Sequence, residues 1–331
     1  MPEEVCLLAG NGYGSGAAKL SRAPGRLANA SSHVLYLHGD DQLSKTRRAL
    51  VLAGGGYAAS AWELGLITGM ADAGLDVRDA DVFVGTSSGS SVALHLASGD
   101  AHEEAFQLRV QPGPPSSARP PAVDWAGLRD RVVRAKRAGG SPTEILQRIG
   151  SLALEAAAGT SGASRREIVA AQLPMTTWPE KRVLIATVNA NTGERRAFDR
   201  DSGMDLVDAV IATTASLGAP PILFQGEHYI DGGFYSTDNA DLATGFDRVM
   251  VLALKRPPEI PYMSVFSLDE TTKILRENGA LVEVIQPDET TLAALAAAGG
   301  VLNPAISAPA AKAGRSQGGR IVNERISSFW R

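Results

Sequence analysis

The stretch VGTSSGSSVA, residues 84–93, carries four serines: Ser87, Ser88, Ser90 and Ser91. A serine hydroxyl attacks a carbonyl when a nearby base takes its proton. Of the four, Ser87 has glycine two residues away on both sides, at Gly85 and Gly89. That spacing suits a sharp strand-to-helix turn. There the nucleophile sits in strained backbone geometry, and a side chain at either flank would collide with the turn. The neighbouring segments agree: ADVFVGT reads as a buried strand, and SGSSVALHLASG as a helix closed by Gly99. A helix starting at Ser88 would offer free backbone N–H groups and a positive dipole end to an oxyanion beside Ser87. Ser88, Ser90 and Ser91 read as helix-start and packing residues.

Two kinds of base are available. Histidine is the usual partner, and the chain has His33, His38, His95, His102 and His228. His33 and His38 precede the turn in an irregular segment. His95 lies on the helix leaving the turn and reads as packed, and His102 falls in an expected loop. His228 comes late in the chain, where α/β-hydrolases carry their histidine, but lies within a strand. The other kind of base is Asp231, at the strand end YIDGG, where Gly232 and Gly233 let the chain turn and leave the carboxylate unobstructed. At an ordinary pKa of about 3.9 it is a weak base, and desolvation in a cleft would raise it.

The elements that must position these residues follow from pattern. RALVLAGGG is a short apolar run ending in a glycine turn, and SAWELGLITGMADAGL a helix with Trp62, Leu66 and Met70 spaced by four. This strand-turn-helix order, repeated at the serine, predicts parallel strands with crossover helices. Residues 100–165 change character. Prolines at 112, 114, 115, 120 and 121 precede two expected helices, Val123–Ala138 and one opening at Ser141-Pro142-Thr143-Glu144 with a capping box. This segment reads as a helical insertion over the sheet. KRVLIATVNA and ERRAFDR form a hairpin at Asn191-Thr192-Gly193, and ILFQGEHYIDGG a second turning at Gly226-Glu227. LVDAVIATTASL is helical, and DRVMVLAL and LVEVIQ are further strands. The Ala/Pro/Gly-rich tail is expected to end in a helix near Gly319–Phe329.

Three motifs in order, Gly54-Gly55-Gly56, Gly85-Thr86-Ser87-Ser88-Gly89 and Asp231-Gly232-Gly233, resemble the patatin-like phospholipase family, from about Arg47 to Leu254. The resemblance implies a three-layer α/β/α fold with a mostly parallel central sheet. It implies a Ser–Asp dyad without histidine: Ser87 as nucleophile, Asp231 as base, and the N–H groups of Gly55 and Gly56 as the oxyanion hole. The implied activity is hydrolysis of carboxylic esters of phospholipids or related acyl lipids, with no metal and no cofactor. The chain departs from the family pattern at Ala58 and Ala59, where a cation and a glycine are usual, and at Thr237, where proline is common.

Composition bounds the rest. A net charge of −4 argues against a nucleic-acid partner, and a single cysteine, Cys6, excludes an internal disulfide and a Cys-based zinc site. The N-terminus lacks a signal-peptide pattern, since Glu3 and Glu4 stand where a basic segment should, and the Leu292–Leu302 tract is too short to span a membrane. A cytoplasmic protein is expected. Residues 1–45 read as an N-terminal extension and 46–331 as the hydrolase domain. Peripheral membrane contact would fall to Trp125 and the basic segment 129–137, which includes Arg129, Arg131, Arg134, Lys136 and Arg137. Two rival readings stand beside the hydrolase: a catalytically silent scaffold, and a nucleotide-binding module using Gly10–Gly16 or Gly54–Gly56 as a phosphate cradle.

Overall fold

The computed structural model describes residues 46–100, 102–111, 125–157, 163–216, 218–255, 263–297 and 303–331. The extension 1–45, with Cys6, His33, His38 and the Gly10–Gly16 loop, lies outside these residues. So do the prolines at 112–121 and the side chains of Trp125 and Leu128.

Short apolar runs bounded by glycine or aspartate form the strands β1 (Arg48–Leu52), β2 (Val82–Thr86), β3 (Arg182–Asn189), β7 (Arg248–Leu252) and β8 (Leu281–Ile285). All five run parallel, in the order β3-β2-β1-β7-β8. Three further strands, β4 (Arg195–Phe198), β5 (Ile222–Phe224) and β6 (Glu227–Asp231), join antiparallel at the β3 end. The sheet is eight-stranded and mostly parallel.

The pairing of β3 places the site. On one side β3 pairs with β4; on the other it pairs first with β2, then with β6. Thr86 of β2 is opposite Ala186, and Asp231 of β6 is opposite the next residue, Thr187. Since β2 is parallel and β6 antiparallel to β3, their C-terminal ends meet head-on. The residues that follow or end them, Ser87 and Asp231, are thereby brought together from opposite halves of the sequence.

Strand side chains alternate between two layers. Leu50, Leu52, Phe83, Ile185, Met250 and Leu252 face one core, with helices α1 (Gly56–Asp72), α2 (Ser88–Ser98), α3 (His102–Val110), α7 (Leu206–Thr213), α10 (Ser307–Ile321) and α11 (Glu324–Trp330). Val51, Val84, Leu184 and Val251 face the other, toward α8 (Leu268–Glu277). On that side α4 (Trp125–Arg137) and α5 (Pro142–Ala157) pack Val132, Leu146 and Ile149 against Val188 and Ile230. The architecture is a three-layer α/β/α sandwich.

The tightest helix pair was invisible in the pattern. Gly65 and Gly69 of α1 face Ala311 and Arg315 of α10, and Gly314 and Gly318 of α10 face Trp62 and Leu66. A Cβ on any of the four would run into a backbone carbonyl of the partner helix. After α9 (Glu289–Ala297), the tail beyond Gly299, expected to end in a helix near Gly319–Phe329, instead forms two, α10 and α11, with a break at Val322-Asn323. Its small residues are a packing surface, not a loop composition.

Other boundaries also moved. Segment 100–165 holds α3 as well as the two expected helices, and runs into α6 (Ala163–Gln172). His102 therefore opens a helix rather than lying in a loop. The β5–β6 turn is Gln225-Gly226, one residue earlier than expected. Both residues have positive φ (51° and 84°), as a two-residue hairpin of matching twist requires. The capping box at Ser141 is formed: Ser141 N–H donates to Glu144 Oε2 (2.7 Å), and Glu144 N–H to Ser141 Oγ (3.3 Å).

Candidate active site

Ser87 lies between β2 and α2 with φ 52° and ψ −124°, a backbone conformation that non-glycine residues rarely adopt. The surrounding packing holds it there. A Cβ on Gly85 would stand 2.6 Å from Ser90 Cα, and one on Gly89 would strike the carbonyl oxygen of Leu52. The flanking glycines let the turn close against β1. Ser87 N–H donates to Thr213 Oγ1 (2.9 Å), and its carbonyl accepts from Ser90 N–H (3.0 Å) and Ser90 Oγ (2.6 Å). Ser90 is fully buried and thus structural, whereas Ser87 is part-exposed.

Ser87 Oγ donates to Asp231 Oδ2 at 3.0 Å. The other oxygen, Oδ1, accepts the N–H of Gly233 at 2.8 Å, at the start of the 3-10 turn Gly232–Phe234. Burial pushes the Asp231 carboxyl up to about 6. The Gly233 N–H, the Ser87 hydroxyl and the charge of Arg165 oppose that rise without cancelling it. A carboxylate tuned to this range can take a proton near neutral pH.

The Gly54-Gly55-Gly56 loop borders the same point. A Cβ on Gly54 would be 3.0 Å from Ser87 Cβ. Gly54 N–H is consumed by the Thr237 carbonyl (2.7 Å), while Gly55 caps α1 and Gly56 opens it. Among the described residues the N–H groups of Gly55 and Gly56 have no acceptor. The N-termini of α1 and α2 therefore adjoin at Ser87, with amides left over for an anion.

A buried knot fixes the Asp231 turn. Asn239, at φ 50°, donates from Nδ2 to Thr86 Oγ1 (3.1 Å), Gly232 O (3.2 Å) and Ser236 O (2.6 Å). Asp238 accepts from Thr271 Oγ1 (2.6 Å) and Ala240 N–H (3.0 Å). Arg195 grips Asp241 through two bonds (2.5 and 2.8 Å). The segment following Asp231 thus anchors the Asp231 turn to the end of β2.

His228 is three residues before Asp231, on the opposite face of β6. Ile230, on the His228 face, packs with α5, and Tyr229, on the Asp231 face, packs in the α1/α2/α7 core. His95 is buried on α2, and burial lowers its pKa to about 4. His102 binds Asp76 at 3.2 Å. Neither forms a bond to Ser87. Sequence reasoning missed Thr213 and Arg165, which sit on elements remote in the chain and carry no motif of their own; Asn239 belongs to the stretch following Asp231 that resembles the family segment, but no role was read for it. Trp178, Glu180, Arg182 and Asp199 line one hollow of about 250 Å³, which includes neither Ser87 nor Asp231.

Residues 50–244 match the family described as Patatin-like phospholipase, well over half of the chain. The chain belongs to the patatin-like phospholipase family, a family of lipid hydrolases. Comparison with curated proteins finds no match. Among solved structures, VipD from Legionella pneumophila is 16% identical with TM-score 0.40, covering 83% of this chain and 66% of that one. The type III effector protein ExoU is 15% identical with TM-score 0.36, covering 83% and 52%. A complex of full-length SpcU and ExoU from Pseudomonas aeruginosa gives 16%, TM-score 0.34, 83% and 51%. The chain spans between half and two thirds of the length of these structures.

Proposed function

We propose that the protein is a serine acyl hydrolase that cleaves carboxylic esters of phospholipids or related acyl lipids through a Ser87–Asp231 dyad. The 3.0 Å bond from Ser87 Oγ to a buried carboxylate carries this reading. Asp231 takes the Ser87 proton as Oγ attacks the ester carbonyl, and the N–H groups of Gly55 and Gly56 hold the resulting oxyanion. As the carbonyl re-forms, the C–O bond to the alcohol breaks, and Asp231 returns the proton to the leaving oxygen. Water, deprotonated by Asp231, then attacks the acyl-enzyme, and Ser87 leaves with the proton, releasing the fatty acid.

A fluorophosphonate should label Ser87 and not Ser88, with Ser87→Ala unlabelled; peptide mapping that finds the adduct on another serine sinks the assignment. Lack of any labelling, with no turnover across a panel of acyl esters and phospholipids, would favour the silent scaffold.

The domain reading continues as a proposal: 46–331 is the hydrolase unit, and 100–165 a helical insertion over the sheet. Among the described residues no helix is long and apolar enough to cross a membrane. Val132 and Ala135 of α4 are buried, while Arg134 and Arg137 are exposed. The apolar stripe is spent on the core, and the exposed cations suit peripheral contact with an anionic surface by a cytoplasmic protein.

A further inference from the structure

Helix α3 brings the chain back to the nucleophile's end of α2. Arg109, in its last turn, donates from Nη2 to Ser91 Oγ (3.4 Å), and Ser91 Oγ donates to the Ser88 carbonyl (2.8 Å). Ser88 is the neighbour of Ser87, so two contacts link the guanidinium to the nucleophile's turn. Ser91 shares one stripe of α2 with Ser88 and His95. Tyr57, the second residue of α1, is also close, since its phenol acts on the guanidinium. Arg109 therefore sits where the N-termini of α1 and α2 adjoin.

The Arg109 charge is not neutralised there. Among the described residues no carboxylate lies within 4.0 Å of it. Glu103 of the same helix is taken by Arg315 (2.8 Å), as is Asp72 (2.7 Å). His95 adds no charge near neutral pH, because burial and the Arg109 charge, opposed by Asp100, hold its pKa at about 4. Nε of Arg109 is shut off from solvent and has no acceptor among the described residues. A fixed cation with little water around it is felt over several ångströms.

We propose that Arg109 is an electrostatic positioning residue of the hydrolase: it touches no substrate, and its charge stabilises the oxyanion that forms over Ser87. This rests on the dyad reading above. The intact ester is neutral, whereas the tetrahedral intermediates of acylation and of deacylation both carry a negative oxygen at the Gly55 and Gly56 N–H groups. A cation that favours only the charged species speeds both steps alike, so it raises kcat and leaves KM unchanged. Ser91 is about 6 Å of helix rise beyond Ser87, which sets a guanidinium bonded to it about 10 Å from the oxyanion. At that range one unit of charge, partly screened by solvent, is worth roughly 5–20-fold in rate.

The test uses the full chain with p-nitrophenyl butyrate, a neutral ester, and the variants Arg109→Lys, Arg109→Gln, Arg109→Met and Arg109→Glu, each checked for fold by circular dichroism. Arg109→Lys should stay within about threefold of the wild type, while Arg109→Gln and Arg109→Met should lose the same 5–20-fold in kcat. Arg109→Glu should lose that factor a second time, and KM should hold throughout. A side chain that merely props α2 gives no such ladder, because its loss follows shape rather than the sign of the charge. Butaneboronic acid, whose adduct on Ser87 is a tetrahedral anion, should bind more weakly by the same factors. The cation that acts on Asp231 is Arg165, so the pH midpoint of activity should not move along the series. Equal losses in Arg109→Lys and Arg109→Gln, a loss carried by KM, or a midpoint that climbs as charge is removed would each overturn the proposal. If Arg109→Glu does not fold, the lysine, glutamine and methionine variants decide alone. A wild type inactive on the ester, or activity that survives Ser87→Ala, overturns the dyad reading itself. Activity that needs Ser87 but ignores the charge at position 109 overturns the Arg109 assignment alone.

Discussion

Asp231→Asn should make the protein more stable and almost inactive at once. Burial lifts the Asp231 carboxyl from its ordinary 3.8 to about 6. A raised carboxyl holds its proton in the folded state at pH values where the unfolded chain has lost it. Folding stability therefore falls as pH climbs from about 4 to about 6, and stays reduced above that. The full rise is worth roughly 3 kcal/mol. Asparagine is never charged, so it escapes this penalty. Its Oδ1 can still accept from Gly233 N–H, and its Nδ2 can donate to Ser87 Oγ, so the local bonds survive the exchange. The expected gain is about 1–3 kcal/mol at pH 7, or roughly 2–6 °C in Tm for a unit of this size. Near pH 4 the gap between variant and wild type should close. The assay is thermal or urea unfolding of both proteins from pH 4 to 8, alongside kcat/KM. Activity of the wild type should rise with pH through about 6, as the base loses its proton. In the variant it should drop by about 10²–10⁴-fold. A stability gap that does not change with pH, or an active Asp231→Asn beside an inactive folded His228→Ala, would refute the reasoning.

Glu63 lies fully buried on α1 with no charged partner among the described residues, and burial, only partly opposed by the Ala53 backbone N–H, holds its pKa well above the ordinary carboxylate value. Glu63→Gln should therefore stabilise the protein above about pH 5 and change little below pH 4, read by the same melts. Gly318→Val should cost roughly 2–4 kcal/mol, because its side chain would meet the Leu66 carbonyl and force α10 off α1; denaturant titration measures it. A chain starting at Thr46 should fold and keep its esterase activity, checked by circular dichroism and p-nitrophenyl butyrate turnover.

Much of the site was legible because its chemistry is written in local turns. Glycines at fixed offsets around Ser87 and after Asp231 mark places where backbone must turn or approach closely, and such requirements act on residues adjacent in the chain. The strand and helix order followed from apolar periodicity for the same reason. The turn at Gln225-Gly226 slipped by one residue because either dipeptide there could supply a hairpin. The tail was misread because the glycines and the proline of α10 weaken a helix standing alone; here contact with α1 supplies what propensity lacks.

The sequence by itself determined the strands and the turn at Ser87, since both depend on neighbours within a few residues. What it could not determine was which base meets Ser87. His228 and Asp231 lie three residues apart on one strand, and the outcome depends on the register of β6 against Thr187 and on which face of that strand turns toward β2. Nor could it place Arg165, whose position is set by one hydrogen-bond pair to Thr214 across the fold. Register and cross-fold contacts arise when distant segments pack, and a one-residue slip reverses every side chain's face. Only the tertiary structure decides them.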